Sequence, residues 1–143
     1  MAEDFIEYAM VQALDVQDVV DLYQAGGWWR ESAQARQRIP AMIKGSYCFL
    51  IATDQGKPVG MGRVISDGVS DAYIQDVVVK KEYRGRHIGK EIVRRLTERC
   101  VADGLAWIGL VAEPHTSEFY QDLGFHPLQD YRPMLYRRIP ESG

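Results

Sequence analysis

Residues 76–90 constrain the fold of this chain more than any other segment. They read DVVVKKEYRGRHIGK, an apolar strand that runs into a short basic turn with two glycines. An amphipathic helix follows at once, with Ile88, Ile92, Leu96 and Cys100 recurring every four residues. This order places unpaired backbone N–H groups, a helix N-terminus and several cations around one point. The segment therefore predicts a binding site for a pyrophosphate.

The positive charge of the chain is concentrated in the same region. The 143 residues carry a formal net charge of −3. Residues 80–99 hold eight Lys or Arg and three Glu, a segment charge of +5, which leaves −8 on the remainder. A basic island on an acidic body favours one anionic ligand. A nucleic-acid-binding protein would usually show a broader basic face, so the pattern argues against that class.

Length and composition set the broad class. A chain of 143 residues with 46% hydrophobic residues suits one domain with a single core. No apolar run approaches the roughly 20 residues of a membrane span, and the acidic start, Met1 to Asp4, lacks a signal-peptide pattern. Cys48 and Cys100 lack the spacing of a metal site. We therefore expect a cytoplasmic protein with two reduced, buried thiols, no metal and no membrane partner.

Hydrophobic periodicity and turn residues predict the order β, α, α, β, β, β, α, β, α, β. The strands are expected at residues 5–11, 47–53, 59–66, 71–79, 107–112 and 133–139, and the helices at 15–25, 32–44, 88–102 and 116–123. Asp15 and Ser32 are the expected N-caps, and Pro40 is expected to break or restart the second helix. The order predicts an α/β or α+β domain in which ligands gather where neighbouring strands diverge.

Two motifs in this order resemble the GNAT superfamily of N-acetyltransferases. Residues 84–89, RGRHIG, are similar to that family's acetyl-CoA motif, Arg/Gln-x-x-Gly-x-Gly/Ala, with His87 where the family usually has glycine. A backbone N–H is still available there, so the cost of His87 falls on a positive φ, if the turn needs one. Residues 119–125, FYQDLGF, are similar to the family's Tyr-x-x-x-Gly-Phe signature, and Glu113 stands where the family often has Asn.

The resemblance implies a single GNAT-like domain over residues 1–143. Its sheet would be mixed and mostly antiparallel, with about six to seven strands, about four flanking helices, and strands that splay at the coenzyme site. It also implies acetyl-CoA (coenzyme A) as co-substrate and a primary amine of a small molecule or peptide as the acceptor. Attack by the amine would be direct, because neither cysteine is placed near the coenzyme turn. The resemblance is compatible with a homodimer.

The resemblance assigns coenzyme contacts to the end of the third meander strand and to the turn. The backbone of residues 77–79 would pair with the pantetheine arm, the Val77 N–H would contact the thioester oxygen, and the amides of the turn would hold the pyrophosphate. The expected coenzyme-binding residues are Val77, Val78, Val79, Arg84, Gly85, Arg86, His87, Ile88, Gly89, Lys90 and Tyr120. A buried core strand followed by a tight glycine turn would account for residues 77–89 without any ligand.

Tyr120 is the expected general acid, because a phenol is able to donate to a departing thiolate or to hydrogen-bond its sulfur. A core tyrosine is the alternative. The base stays open between Asp76, Glu113 and a water chain with no dedicated base. Asp76 would need a bulge to face the acceptor, and a structural role for it is equally open. Glu113 and His115 are better explained as exposed loop residues.

The acceptor wall is expected to comprise Trp28, Trp29, Tyr73 and Gln75, with Arg63 on the neighbouring strand. The two indoles either offer an aromatic surface to an amine or plug the first helix pair. The acidic body favours a cationic acceptor. Two other functions stay open: a catalytically silent acyl-CoA-binding sensor module and, against the charge pattern, a nucleic-acid binder.

Overall fold

The computed structural model describes residues 5–137. The strands are β1 (Ile6–Met10), β2 (Cys48–Asp54), β3 (Lys57–Ser66), β4 (Asp71–Val79) and β5 (Trp107–Leu110). The helices are α1 (Val16–Ala25), α2 (Ala33–Gly45), α3 (Ile88–Ala102) and α4 (Ser117–Gln121), with a 3-10 helix at Lys81–Tyr83. The chain divides into two compact units, one up to Leu110 and one from Val111 onward. The first unit holds the sheet and α1 to α3, and the second holds α4.

The sheet has the strand order β1-β2-β3-β4-β5. Its first four strands pair antiparallel, whereas β5 pairs parallel to β4 across the connection that contains α3. A parallel pair needs such a long crossover, whereas short turns join β2 to β3 and β3 to β4. The predicted mixed, mostly antiparallel sheet with flanking helices is therefore confirmed.

The number of strands is lower than predicted, with five rather than six to seven in residues 5–137. The strand predicted at 133–139 is wrong over its described part: residues 133–137 form no strand, and 138–139 lie outside the described residues. Met134, Leu135 and Tyr136 are 92%, 86% and 86% exposed. An apolar run forms a strand only where a partner strand accepts its hydrogen bonds, and Pro133 has no N–H to donate.

Both faces of the sheet contribute to the core. One face packs against α1 and α2 through Phe49, Ile51, Met61 and Val78. The other face receives α3, whose buried side chains are Ile88, Ile92, Val93, Leu96 and Cys100. The predicted apolar stripe of this helix is therefore confirmed.

Helix α3 approaches β3 closely because two residues of that strand are glycines. A Cβ added at Gly62 would lie 2.8 Å from Ile92 Cγ2 and 2.9 Å from Leu96 Cδ1. At Gly60 the nearest heavy atom would be Ile92 Cδ1, at 3.1 Å. The close packing thus depends on the missing side chain at residue 62, and it sets the position of the α3 N-terminus against the sheet.

The first two helices begin at the predicted caps. Asp15 accepts a hydrogen bond from the Gln17 N–H at 2.8 Å, and Ser32 accepts one from the Ala35 N–H at 2.9 Å. Pro40 does not break α2, contrary to the prediction, because the helix runs through it. Pro40 is exposed, and the burial of α2 side chains against the core outweighs the hydrogen bond that proline removes. None of the described helices has the length and apolarity needed to cross a membrane.

Candidate active site

Strand β4 contains a bulge at the predicted acceptor side of the site. The ladder between β3 and β4 shifts register between Met61 and Arg63, so that Asp76 and Val77 together oppose Gly62. Asp76 has a φ of 58°, in the left-handed region, which costs a non-glycine residue roughly 1–2 kcal/mol. The extra residue interrupts the side-chain alternation of β4. Asp76 therefore faces α1, as the sequence allowed only if a bulge were present.

The Asp76 carboxylate is held by two donors. The Tyr23 hydroxyl donates to Asp76 Oδ2 at 2.7 Å, and Arg63 Nε donates to the same oxygen at 2.7 Å. Arg63 Nη2 also donates to Gln75 Oε1 at 3.1 Å. The side chains of Arg63 and Asp76 are only 15% and 18% exposed. The structure thus brings three sequence-predicted residues into one network and adds Tyr23 to it.

Tyr23 is a member of this site that sequence reasoning missed. Its place on the apolar stripe of α1 explains its burial but not its hydroxyl. A buried tyrosine usually has a hydrogen-bond partner for its hydroxyl, and that requirement was the only available signal. Burial raises the pKa of the Tyr23 phenol, and the hydrogen bond to Asp76 raises it further. The hydroxyl therefore stays protonated at physiological pH and donates to Asp76.

Two tryptophans flank Tyr23 at the end of α1. The Trp28 ring is 5.9 Å from the Tyr23 ring at an interplanar angle of 64°, and the Trp29 ring is 6.3 Å away at 30°. Trp29 also packs against the core between the sheet and α1 and α2, and a Cβ at Gly26 would lie 2.8 Å from the Trp28 ring. Both indoles are therefore ordered by packing, whether or not they also contact an acceptor.

The edge of β4 that faces β5 is paired over only part of its length. The parallel ladder extends from Asp71 to Ile74, and no β5 residue pairs with residues 75–79. On the opposite edge β4 pairs with β3 as far as Val79. Backbone N–H and C=O groups at the end of β4 therefore face away from β3 without a strand partner among residues 5–110, as an added extended chain would require. Tyr73 lies in the paired part, opposite Gly109.

The side chain of Val78 is buried and those of Val77 and Val79 are half-buried, while their backbone forms this edge. Val78 is buried on the α1 side, and Val77 Cγ2 would be 3.3 Å from a Cβ at Gly62 on the α3 side. The core-strand explanation of these valines is therefore correct for their side chains. It does not compete with a ligand on their backbone, because side chains and backbone edge point in different directions.

The predicted phosphate turn has the backbone of an anion site. Gly85 and His87 have φ values of 82° and 63°, and α3 starts directly after His87. The first intrahelical bond runs from the Glu91 N–H to the His87 carbonyl at 3.1 Å, so the amides of Ile88, Gly89 and Lys90 precede it. A Cβ at Gly85 would meet no atom within 4 Å, so there is space beside this residue of the turn. The positive φ considered for His87 is confirmed.

The arginines of the turn have contacts within the protein. Arg84 Nε donates to the Val79 carbonyl and Arg84 Nη2 to the Ala25 carbonyl, both at 3.0 Å. The Arg86 guanidinium carbon lies 5.0 Å from the centre of the Tyr83 ring. The side chain of Arg84 therefore joins the end of β4 to the end of α1, a role that the sequence did not indicate.

The second unit carries Tyr120 and its neighbours. Tyr120 packs edge-on against Phe119 at 4.9 Å and Phe125 at 6.1 Å between ring centres. Burial raises the pKa of Tyr120, and the nearby charge of Glu113 raises it further. Glu113 and His115 are exposed. Tyr120 is thus protonated at neutral pH, and Glu113, a predicted base candidate, lies in the same unit.

The described residues contain no group of three or more His, Cys, Asp or Glu that could hold a metal ion. Both cysteines are buried and unpaired, as predicted. Burial raises the pKa of Cys48 to about 12, so this thiol is not an activated nucleophile.

Comparison with known proteins agrees with the motifs. A family model for the acetyltransferase (GNAT) domain matches residues 20–133. GCN5-related N-acetyltransferase 2, chloroplastic, from Arabidopsis thaliana is 30% identical, over 78% of this chain and 50% of that protein. Histone acetyltransferase TAP1 from Glycine max is also 30% identical, over 78% of this chain and 52% of that protein. The chain spans about half the length of these curated relatives.

A solved structure has the same fold. A probable acetyltransferase from meticillin-resistant Staphylococcus aureus superposes with a TM-score of 0.79 at 20% sequence identity. The superposition covers 94% of this chain and 99% of that one.

Proposed function

Because the chain belongs to the GNAT family of acetyltransferases, we propose that it transfers an acetyl group from acetyl-CoA to a primary amine of a small molecule or peptide. The observation that carries this proposal is the end of β4. β5 pairs with its outer edge only as far as Ile74, and the chain then passes through the turn at residues 84–87 into the N-terminus of a 15-residue helix. An extended pantetheine arm and a pyrophosphate need these two features in this order.

The chain's own residues suit each part of the coenzyme. Backbone groups of residues 77–79 would bind the pantetheine arm, and the amides of residues 85–90 would bind the diphosphate. The Val77 N–H, next to the bulge, would donate to the thioester oxygen, a type of contact that supplies roughly 3 kcal/mol in the transition state. The Arg84 side chain would support the turn, since it donates to two carbonyl groups of the protein.

The transfer forms a C–N bond and breaks the C–S bond of the thioester. An ammonium acceptor loses two protons in all: one replaces the acetyl group on sulfur and the other goes to solvent. Losing the first proton costs about 4–5 kcal/mol at neutral pH, which the site must offset. The raised pKa of Tyr120 makes complete proton transfer to a thiolate uphill, so Tyr120 would act mainly as a hydrogen-bond donor to sulfur.

The acceptor wall would be the α1 side of the sheet. Trp28, Trp29, Gln75 and Tyr73 are proposed to line it, with Asp76 at its base. One relative is named a histone acetyltransferase, which is a property of that protein and leaves small-molecule and peptide amines open for this chain. Asp76, Glu113 or a bound water chain would assist the loss of the amine proton.

Thiol release tests this function. The protein is incubated with acetyl-CoA and a panel of alkylamines, arylalkylamines, polyamines, amino acids and peptides, and free CoA thiol is followed over time. We expect amine-dependent thiol release with at least one acceptor, together with an acetylated product by mass spectrometry. Calorimetric binding of CoA without thiol release on any amine would instead support the catalytically silent acyl-CoA-binding module.

A further inference from the structure

The Asp76 carboxylate has two oxygens that differ in their surroundings. The Tyr23 hydroxyl and Arg63 Nε both donate to Oδ2. We infer that Tyr23 and Arg63 are positioning residues that fix Asp76 so that its Oδ1 binds the acceptor as a primary ammonium ion. This inference rests on the proposed acetyl transfer and assigns its acceptor class: amines that are cationic when they bind.

The Asp76 carboxylate is able to accept more hydrogen bonds than the two it receives from Tyr23 and Arg63. An ionised carboxylate has about four acceptor positions on its two oxygens. The hydroxyl of Tyr23 and Nε of Arg63 occupy both positions of Oδ2. Oδ1 accepts no hydrogen bond from the described residues, and none of their side-chain oxygens is both buried and without a partner, so Oδ1 is accessible to a ligand as well as to water. A primary ammonium group supplies three N–H donors.

Asp76 Oδ1 belongs to the residue that immediately precedes Val77 in β4. The bulge turns the Asp76 side chain toward α1, and the next residue in the chain is Val77, whose N–H is proposed to contact the thioester oxygen. A nitrogen bound to Asp76 is therefore delivered to the start of the unpaired β4 edge.

Aromatic rings lie beside the Asp76 carboxylate. The Tyr23 ring, whose hydroxyl contacts Asp76, is flanked by the rings of Trp28 and Trp29. Aromatic faces attract cations and exclude water. The Trp29 ring already has the Arg36 guanidinium carbon 6.0 Å from its centre, so the preference for an organic cation over a neutral amine rests on the Asp76 carboxylate, in agreement with the charge of −8 outside residues 80–99.

The experiment compares one amine in charged and neutral forms. The probes are 2-phenylethylamine and its 2,2-difluoro analogue, which have similar shape, whereas the fluorines leave the second amine largely neutral at pH 8. If another amine of the panel is the better substrate, it is paired with its own β,β-difluoro analogue. Comparing variant with wild type for each amine separately cancels the lower nucleophilicity of the fluorinated one.

Asp76→Asn should lower kcat/KM for the cationic amine by about tenfold or more, chiefly through KM. The loss for the neutral analogue should be less than about threefold, and CoA affinity by calorimetry should be unchanged. Tyr23→Phe should show the same selectivity with a smaller effect, because Arg63 still holds Oδ2. Equal losses for the two amines in Asp76→Asn would overturn the inference, since the carboxylate would not be recognising charge.

Asp103 provides a matched control in the first unit. It accepts hydrogen bonds from the Tyr47 hydroxyl and from Arg99 Nε, the same donor types that Asp76 has, but it lies at the C-terminus of α3. Asp103→Asn should leave the selectivity between the two amines as in wild type. A change as large as that of Asp76→Asn would show that losing any such network alters the enzyme, and would overturn the inference.

A second readout separates this inference from the proposed function. If no amine of the panel releases thiol, the proposed acetyl transfer is wrong. The proposed contact between Asp76 and the ammonium group is then tested by titrating the same two amines into the protein and following its tryptophan fluorescence. Tighter binding of the cationic amine than of the neutral one, with the difference abolished in Asp76→Asn, would support the contact. Equal binding of both amines would overturn it. Should Asp76→Asn fail to fold by circular dichroism, Tyr23→Phe carries the same comparison.

Discussion

Replacing Gly62 by alanine tests how strongly the site depends on close packing between β3 and α3. The added Cβ would lie 2.8 Å from Ile92 Cγ2, 2.9 Å from Leu96 Cδ1 and 3.3 Å from Val77 Cγ2. Overpacking a core costs about 1–3 kcal/mol, and three close neighbours place this site at about 2–3 kcal/mol. The smaller entropy of an unfolded chain with alanine offsets about 0.5–1 kcal/mol. We expect a net loss of about 1–2.5 kcal/mol in the free energy of unfolding.

Gly60→Ala is the matched control for this prediction. Its Cβ would lie 3.1 Å from Ile92 Cδ1, the end of a flexible side chain, and 3.2 Å from the Val78 carbonyl oxygen. An overpacking cost of about 1 kcal/mol and the entropic gain should nearly cancel. Urea unfolding measures both variants, and thermal unfolding should show a shift of about 3–5 °C per kcal/mol. Equal urea midpoints for the two variants would refute the packing argument.

Lys90→Glu should raise the Kd for CoA about tenfold or more, which is about 1.4 kcal/mol, because it places an anion in the first turn of α3; calorimetry measures this, and Lys44→Glu in α2 should leave the Kd unchanged. Tyr120→Phe should lower kcat more than it alters CoA affinity, and an unchanged kcat would make Tyr120 a structural residue. Asp67→Asn should destabilise the protein at neutral pH, because hydrogen bonds from the backbone and hydroxyl of Ser70 and from the Val69 N–H lower the pKa of Asp67 to about 2. The folded pKa lies below the unfolded value of about 3.9, so this stabilisation is present above about pH 4 and is lost as the pH falls toward 2. The difference between wild type and Asp67→Asn in urea should shrink over that interval, and a constant difference would contradict the assignment.

Features with local causes were predictable from the sequence. The caps at Asp15 and Ser32 depend on residues two or three positions away, and the stripe of α3 depends on its own periodicity. The turn after β4 belongs to the same class, since His87 adopts the positive φ that was considered for it. Each of these predictions needs only a short window of residues.

Features with distant partners were not predictable in the same way. Tyr23 and Asp76 are separated by 53 positions in the chain, and nothing near Tyr23 indicates which carboxylate it contacts. The sequence predicted Arg84 as a coenzyme-binding residue, yet its side chain donates to the Ala25 carbonyl, 59 positions away. The apolar residues 133–137 fail as a strand for the same reason, because pairing depends on a neighbour that the segment itself does not specify.

The double contact of Arg84 changes how mutagenesis of the coenzyme turn should be interpreted. One guanidinium group bonds both to the last residue of α1 and to the last residue of β4, and the loop with the two indoles starts just after the first of these. Removing that side chain would disturb the end of α1 and the end of β4 together. A weaker coenzyme affinity in such a variant would therefore reflect a displaced backbone as well as a lost contact with the coenzyme. Substitutions further along α3 test coenzyme binding without this displacement.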